Sequence, residues 1–562
     1  MGYPDYMKAS IAKVEASRER RLNETVPLMS LAEREDVLKR FYPANQPGAL
    51  EQLRVGPNKG EYYLKEFVNI LESRSPVDPS QIDLSKPDYD VDVLIIGGGA
   101  AGMSASLMCT EEGVTPLLVT KLRLGDANSM MSQGGIQAAI SPVDSPDTHY
   151  LDCFGGGQFA NVPELVRALV TDAPQVIKWL EGLGVMFDKD PDGKIKVKHG
   201  GGTSKKRLIS TRDISGAGIT RVLRDEVWNR NIPVLEFTSA LEILLDEEGK
   251  AAGAVLFNME TEQYYVARAK VVVLNTGGSG RLHFQGFPTT NHYGATGDGL
   301  VMAYRAGAKL VFMDTVQYHP TGGAFPEQTV GLLVAETARA MFGQLVDSEG
   351  EQFVNNLEPR DVTSSAIIRQ CKERGRGITT PSGISGVWLD TPMVDLKNGP
   401  GTLFSVMPVQ CKRYWRFGYD PTKEPILITP VHHYQNGGIL INDQAETNVP
   451  NLFAGGEVEG GVHGRNRLMG NSWADIMVFG RRSGISAARR AKETPKPKTL
   501  SLKHVDAYHK EMQENGVSMK RIAPILLPNY TRPEIKDRIP PLAAALLENY
   551  TPFETEMEGV LK

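Results

Sequence analysis

Cysteine is scarce in this 562-residue chain: four are present, Cys109, Cys153, Cys371 and Cys411, and no two have C-x-x-C spacing. That excludes an iron–sulfur cluster or a cysteine zinc site held by the chain alone, and no resident metal is expected. The lack of a disulfide framework suits a reducing compartment. No apolar run approaches the roughly 18 residues a membrane helix needs. The opening MGYPDYMKAS has no apolar signal core, and the basic stretch SRERRLNE at 17–24 is not followed by one. The expected setting is the cytoplasm, free or peripheral on the cytoplasmic side of a membrane. Neither sign of charge dominates, with 62 basic and 67 acidic residues, which argues against a nucleic-acid or anionic-membrane surface.

The length calls for several domains. Residues 1–87 are polar and broken by Pro43, Pro47 and Pro57. They lack the apolar periodicity for a core of their own and read either as an arm lying on the body or on a partner, or as a disordered tail. Ser30-Leu-Ala-Glu33 is a capping-box pattern opening a helix through Arg40. From Asp90 the character changes. Asp90-Val-Asp-Val-Leu-Ile-Ile96 reads as a buried strand, and Gly97-Gly-Gly-Ala-Ala-Gly102 follows before a small-residue helix. This is GxGxxG in the context the dinucleotide motif requires. Gly97 makes the tight turn, Gly99 admits a pyrophosphate and Gly102 lets helix and strand approach. The next strand ends Thr120-Lys121, where an NAD site usually carries an acidic residue for the ribose. Three further glycine turns follow apolar strands or open helices: Val271-Val-Val-Leu-Asn-Thr-Gly-Gly-Ser-Gly280, Asn291-His-Tyr-Gly-Ala-Thr-Gly-Asp-Gly299 and Asn451-Leu-Phe-Ala-Gly-Gly-Glu457. Together they point to one extended cofactor touched by distant loops, a length that suits FAD.

Further motifs stand in a fixed order: SQGGI at 132–136, QYHPTG at 317–322, PRD at 359–361, HHYQNGG at 432–438 and HGRNRLMGNS at 463–472. With GGGAAG at 97–102 they resemble the flavoprotein subunit family of fumarate reductase and succinate dehydrogenase, which includes L-aspartate oxidase. The resemblance covers roughly residues 88–490. It implies an α/β fold, a doubly wound, Rossmann-like FAD domain (88–312 and 432–490) interrupted by a capping domain (313–431). The N-terminal extension (1–87) and a short helical C-terminal segment (491–562) flank it. On the cofactor it implies Gly97, Gly99, Ala100, Ala101, Gly102, Thr120, Lys121, Asn128, Ser129, Gln133, Gly134, Gly135, Thr276, Gly277, Asp298, Glu457, Asn471 and Ser472.

The resemblance also assigns the chemistry. A dicarboxylate pocket needs cations and strong donors at both ends. His319, His433 and Arg467 match the carboxylate-binding groups, and Arg360 matches the arginine that donates a proton. Glu336 and Arg339 keep the spacing of the relay behind it, three residues apart and on one helix face. Of His432 and His433, adjacent on a strand, one should face the pocket, and His433 is the expected one. The activity implied is fumarate reduction. The alternatives are an amino-acid or other acid oxidase such as L-aspartate oxidase, and a flavin electron-relay subunit without turnover. Three positions depart from the family pattern. Ala335 stands where a carboxylate-binding threonine is usual. Ala340-Met-Phe-Gly343 replaces a glycine-rich acidic stretch and is expected to alter the pocket wall. Asn128 stands where membrane-bound members attach FAD through histidine, so the FAD is expected to be non-covalent. With no cluster cysteines and no second dinucleotide motif, electrons are expected from a partner, an iron–sulfur subunit, with the 1–87 arm as part of its docking surface.

Overall fold

A computed structural model describes residues 2–528 of the chain. The central sheet has seven strands. Five run in parallel: Val234–Leu235, Leu117–Val119, Tyr89–Ile96, Gln263–Leu274 and Leu452–Ala454. The long strand Gln263–Leu274 serves two partners. Its first half closes an antiparallel meander with Ala251–Asn258 and Thr238–Leu245, and its second half lies between Tyr89–Ile96 and Leu452–Ala454. The parallel strands are Val-, Ile- and Leu-rich because both faces are covered. Their carboxyl ends at Ile96, Val119, Leu274 and Ala454 meet along one edge, where open α/β sheets bind ligands.

Helix Ala100–Glu111 covers one face and packs on the long helix Asn471–Glu493. The approach depends on glycine. A Cβ on Gly480 would lie 2.7 Å from the Ala101 carbonyl oxygen, and one on Gly484 2.3 Å from that of Ala105. The small-residue helix is therefore small because a second backbone runs against it.

A second sheet is antiparallel, with strands in the order Val316–Gly323, Ile426–Gln435, Ser385–Asp390 and Gln344–Val346. It has its own apolar core around Trp388, Leu389, Val346 and Ile428. Helix Arg360–Lys372 packs on this sheet. Strand Ile426–Gln435 runs unbroken through 431–432, where the sequence suggested a boundary, because its pairing with Val316–Gly323 continues to Gln435 opposite Val316.

The arm lies on the body of its own chain. Helix Asp5–Asn23 and the residues just before it bury Tyr3, Met7, Ile11 and Val14 in the second core. Helix Leu31–Phe41 opens with the full Ser30–Glu33 capping box. Residues 42–71 then contribute Val55, Leu64, Phe67 and Ile70 to the core of the main sheet. The C-terminal segment carries helix Lys503–Glu514, and residues 529–562 of the expected helical tail lie outside the described residues.

One buried ion pair fastens the arm. Arg21, fully buried, donates to Asp390 Oδ2 at 2.6 Å and to the Val14 carbonyl at 2.9 Å, and also to Gln344. Arg18 also binds Asp390, its Nη2 2.9 Å from Oδ1, so the carboxylate keeps one cation when Arg21 is removed and the cost stays below the roughly 3–5 kcal/mol of a buried charge left unpaired. Arg21→Ala is expected to lower the stability read from urea melts measurably but by less than that amount, and the double variant Arg18→Ala/Arg21→Ala to approach it. A melt indistinguishable from wild type would show that the arm is not fastened there.

Candidate active site

The carboxyl ends of the parallel strands open into a long cleft. The turn at 97–101 sits at its floor. Gly97 has φ +122°, and a Cβ there would lie 2.2 Å from the Asn275 carbonyl oxygen. Gly102 is not on the lining. A Cβ on it would strike the Gly97 carbonyl oxygen at 1.8 Å, so it permits the helix–strand contact that shapes the turn. The first residues of helix Ala100–Glu111 line the cleft, and a helix N-terminus attracts phosphate.

Of the residues expected on the cofactor, Gly97, Gly99, Ala100, Ala101, Thr120, Lys121, Asn128, Ser129, Thr276, Gly277, Asp298, Glu457 and Ser472 line the cleft. Gly102, Gln133, Gly134, Gly135 and Asn471 do not. Gln133 donates to the Leu333 carbonyl at 3.0 Å, and Asn471 is held in the core by His149 at 3.0 Å and Cys153 Sγ at 3.0 Å. Lys121 pairs with Asp298 at 2.6 Å and donates to Thr296 at 2.7 Å, so the strand-end lysine has its own counter-ion. Asn128 donates to Asn291 Oδ1 at 2.6 Å and Glu457 Oε2 at 3.2 Å, and accepts from the His292 N–H at 2.6 Å. Burial lifts the Glu457 carboxyl to about 7. The Thr276 hydroxyl is buried beside the cleft without a partner among the described residues, as a group reserved for a ligand would be. The glycine cradle, the helix terminus and this unpartnered hydroxyl fit a dinucleotide.

At one end of the cleft the second sheet, the helix packed on it and two neighbouring turns and loops bring six side chains together. Strand Val316–Gly323 supplies His319, helix Arg360–Lys372 supplies Arg360 at its first position, and strand Ile426–Gln435 supplies His433. Glu336 precedes the single helical turn Thr337–Ala340, which carries Arg339. Arg467 belongs to the loop before helix Asn471–Glu493. Glu336 Oε2 accepts from Arg360 at 2.8 Å, and Oε1 lies 3.3 Å from Arg339 Nη2. Arg339, Glu336 and Arg360 therefore form a chain of ion pairs, hydrogen-bonded between Glu336 and Arg360, with His319 Nε2 3.8 Å from the same carboxylate. The His319 and His433 ring centroids are 5.0 Å apart. Their Nδ1 atoms are engaged by Thr321 at 3.2 Å and Thr290 at 2.8 Å. His432 points into the core between Phe284 and Tyr318, while His433 lines the cleft.

Burial, reinforced by the Arg360 charge, holds both His319 and His433 well below the ordinary histidine value. Burial alone would raise the Glu336 carboxyl, but Arg360 and Arg339 outweigh it and keep it low. Burial and then Arg360 pull the Arg467 guanidinium down to about 9. With neutral histidines, the six side chains carry three guanidiniums and one carboxylate, a surplus of positive charge that calls for an anion.

Three features are not evident from the sequence. Gln317, in QYHPTG, touches both Arg360 and Arg467. Asp475 anchors a buried network behind Arg467, accepting from Tyr434 at 3.0 Å with His463 at 3.2 Å. The motif HGRNR signalled His463, but nothing local linked it to a carboxylate twelve residues on. Ala340-Met-Phe-Gly343 also behaves differently from expectation: Met341 packs on the second core and Phe342 lies under Lys397, whose Nζ is 4.8 Å from the ring centroid. Ala335 is buried in that core.

Residues 92–473 match the family described as FAD binding domain. The chain is 37% identical over 425 residues to a subunit of the fumarate reductase (CoM/CoB) of Methanothermobacter marburgensis, covering 74% of this chain and 75% of the relative. It is 34% identical over 419 residues to the L-aspartate oxidase of Streptomyces coelicolor, covering 71% and 69%. Among solved structures, the FrdA chain of E. coli quinol fumarate reductase superposes with a TM-score of 0.68 at 30% identity, covering 76% of this chain and 74% of that one. The bound cofactor is FAD. Gly97→Ala, which forces a Cβ against backbone at the phosphate turn, is expected to abolish FAD retention, read as the ratio of flavin to protein absorbance after purification. Full occupancy in that variant would remove the turn from the binding site.

Proposed function

The chain belongs to the family of FAD-dependent oxidoreductases formed by the flavoprotein subunits of fumarate reductase and succinate dehydrogenase, and from that premise we propose that it reduces fumarate to succinate. The observation that carries this reading is the Arg339–Glu336–Arg360 chain ending beside His319, His433 and Arg467. When bound, FAD supplies the hydride that goes to one carbon of the double bond. The other carbon needs a proton, and Arg360 is the group positioned to give it. Arginine is a weak acid in water. It can serve here because Glu336, bonded to it directly, returns the proton from Arg339 without a solvent step. His319, His433 and Arg467 hold the two carboxylates. The histidines do so as neutral N–H donors, since burial and Arg360 keep them uncharged before substrate enters.

The flavin is held without a covalent bond. Asn128, at the position of the attaching histidine, is an amide engaged by Asn291, Glu457 and the His292 N–H, and an amide nitrogen is too weak a nucleophile to bond to the flavin. In this family the covalent link raises the flavin potential, so its lack favours reduction of fumarate over oxidation of succinate. Electrons reach the flavin from a partner, an iron–sulfur subunit, because the chain carries no C-x-x-C pair. The relative from Methanothermobacter is itself named as one subunit of its enzyme. A second reading, L-aspartate oxidation, follows from the Streptomyces relative at 34% identity. Rapid reaction of the reduced flavin with oxygen in the presence of aspartate would favour it.

The test is anaerobic. Flavin reduced by a viologen dye is expected to reoxidise rapidly on adding fumarate. Arg360→Gln is expected to slow that step by about 10²–10⁴-fold, the usual worth of a general acid, with FAD still bound. No reoxidation by fumarate in the wild type would set the reading aside. Acid precipitation is a separate check: all flavin is expected in the supernatant, and flavin remaining on the polypeptide would contradict the role given to Asn128.

A further inference from the structure

The proton-transfer chain makes no use of Gln317, two residues before His319. Its side chain is fully buried, and each polar atom is used twice. The Oε1 atom accepts from Arg360 Nη1 at 2.9 Å and from Arg467 Nη2 at 2.9 Å. The Nε2 atom donates to Asn466 Oδ1 at 2.7 Å and to the Arg467 carbonyl at 2.7 Å. Those two acceptors fix the amide's orientation: flipped, it would turn N–H groups on two guanidiniums. Asn466 is anchored in turn, donating to the Gly156 carbonyl at 3.2 Å.

Two guanidiniums with different tasks thus share one neutral oxygen. Like charges brought close in a buried site repel strongly. Glu336 relieves Arg360, backed by Arg339, while His319 and His433 face the same space uncharged. Arg467 has neutral partners among the described residues: Gln317, the Leu468 carbonyl and the Ser472 hydroxyl, each about 3 Å away. Its Nε is buried with no partner among them. An apolar side chain at 317 would leave two cations facing each other without an acceptor. A carboxylate there would bind both and compete with the substrate for them. An amide oxygen accepts from both and neutralises neither.

We propose that Gln317 is the positioning residue that joins the proton donor Arg360 to the carboxylate clamp Arg467, holding the two guanidiniums at one separation while leaving both charges for a dicarboxylate. This rests on the reading of the site as a dicarboxylate reductase.

The experiment compares the FAD-loaded wild type with Gln317→Glu and Gln317→Leu. Melting temperature and flavin-to-protein ratio report folding. Malonate affinity is read from the perturbation of oxidised-flavin absorbance, which needs the two arginines but no turnover. Steady-state kcat and KM for fumarate with reduced viologen, in H2O and D2O, report the proton step. Gln317→Glu has nearly the native shape and is expected to fold and keep FAD. Malonate binding and fumarate KM are expected to worsen about ten- to a hundredfold, the worth of a hydrogen bond to a charged group. The kcat is expected to fall with a larger solvent isotope effect, because Arg360 held by a second carboxylate releases its proton less readily. Gln317→Leu is expected to weaken malonate comparably; where it does not fold, Gln317→Glu decides. Wild-type malonate affinity and isotope effect in Gln317→Glu would overturn the proposal, whether or not kcat falls. A wild type inactive on fumarate that still binds malonate overturns the parent reading and leaves malonate to decide this one. A wild type that does neither overturns both.

Discussion

Glu336 is a carboxylate buried between two guanidiniums, and the arrangement of the active site follows from what that burial requires. An isolated carboxylate so far from water would be strongly disfavoured. Here Arg360 at 2.8 Å and Arg339 at 3.3 Å more than compensate, and the acid stays ionised. The same contacts fix the elements that carry them. Arg360 must open its helix, Arg339 must sit one turn past Glu336, and the loop at 200–202 must come close enough that a Cβ on Gly201 would lie 1.8 Å from Glu336 Oε1. A side chain at 201 would have to push the Glu336 carboxylate out of this position.

The cofactor cleft depends on a different constraint, backbone approach. Gly97 and Gly102 meet the Asn275 and Gly97 carbonyls at distances no Cβ allows, and Gly480 and Gly484 do the same for the helix behind. These contacts bring the carboxyl ends of the parallel strands to one line. They also set Arg467, from the loop before helix Asn471–Glu493, opposite His319 and His433 on two paired strands of the second sheet and Arg360 on the helix packed against it. The site is therefore a seam between two separately cored layers, one apolar cluster around Leu94 and Val272 and another around Trp388 and Ile428.

What was legible in the sequence was whatever local spacing encodes. The strand–glycine–helix turn at 89–111, the capping box at Ser30 and the three-residue step from Glu336 to Arg339 could each be read from neighbours in the chain. The motifs of the resemblance named residues but not contacts. Gln317 stood in plain view in QYHPTG, yet its partners are 43 and 150 positions away. Asn471 matched a motif and turned out to be held by His149 and Cys153, because a helix-opening residue can face the core as readily as the ligand. The apolar stretch 340–342 suggested an altered pocket wall, but direction is not a property of composition: Met341 and Phe342 point to the core and to Lys397.

The arm shows the same limit and adds a structural consequence. Its composition gave no sign of a core because it has none of its own; it lends residues to the cores of both sheets and Val77 to a third cluster. Met7, Ile11 and Val14 complete the second layer, while Phe67, Val68 and Ile70 complete the first. The chain from Arg21 to Tyr42 links the two contributions and runs along the second sheet, held at one end by Asp390 and at the other by the Tyr42 hydroxyl on the Val316 carbonyl, at the start of the strand that carries His319.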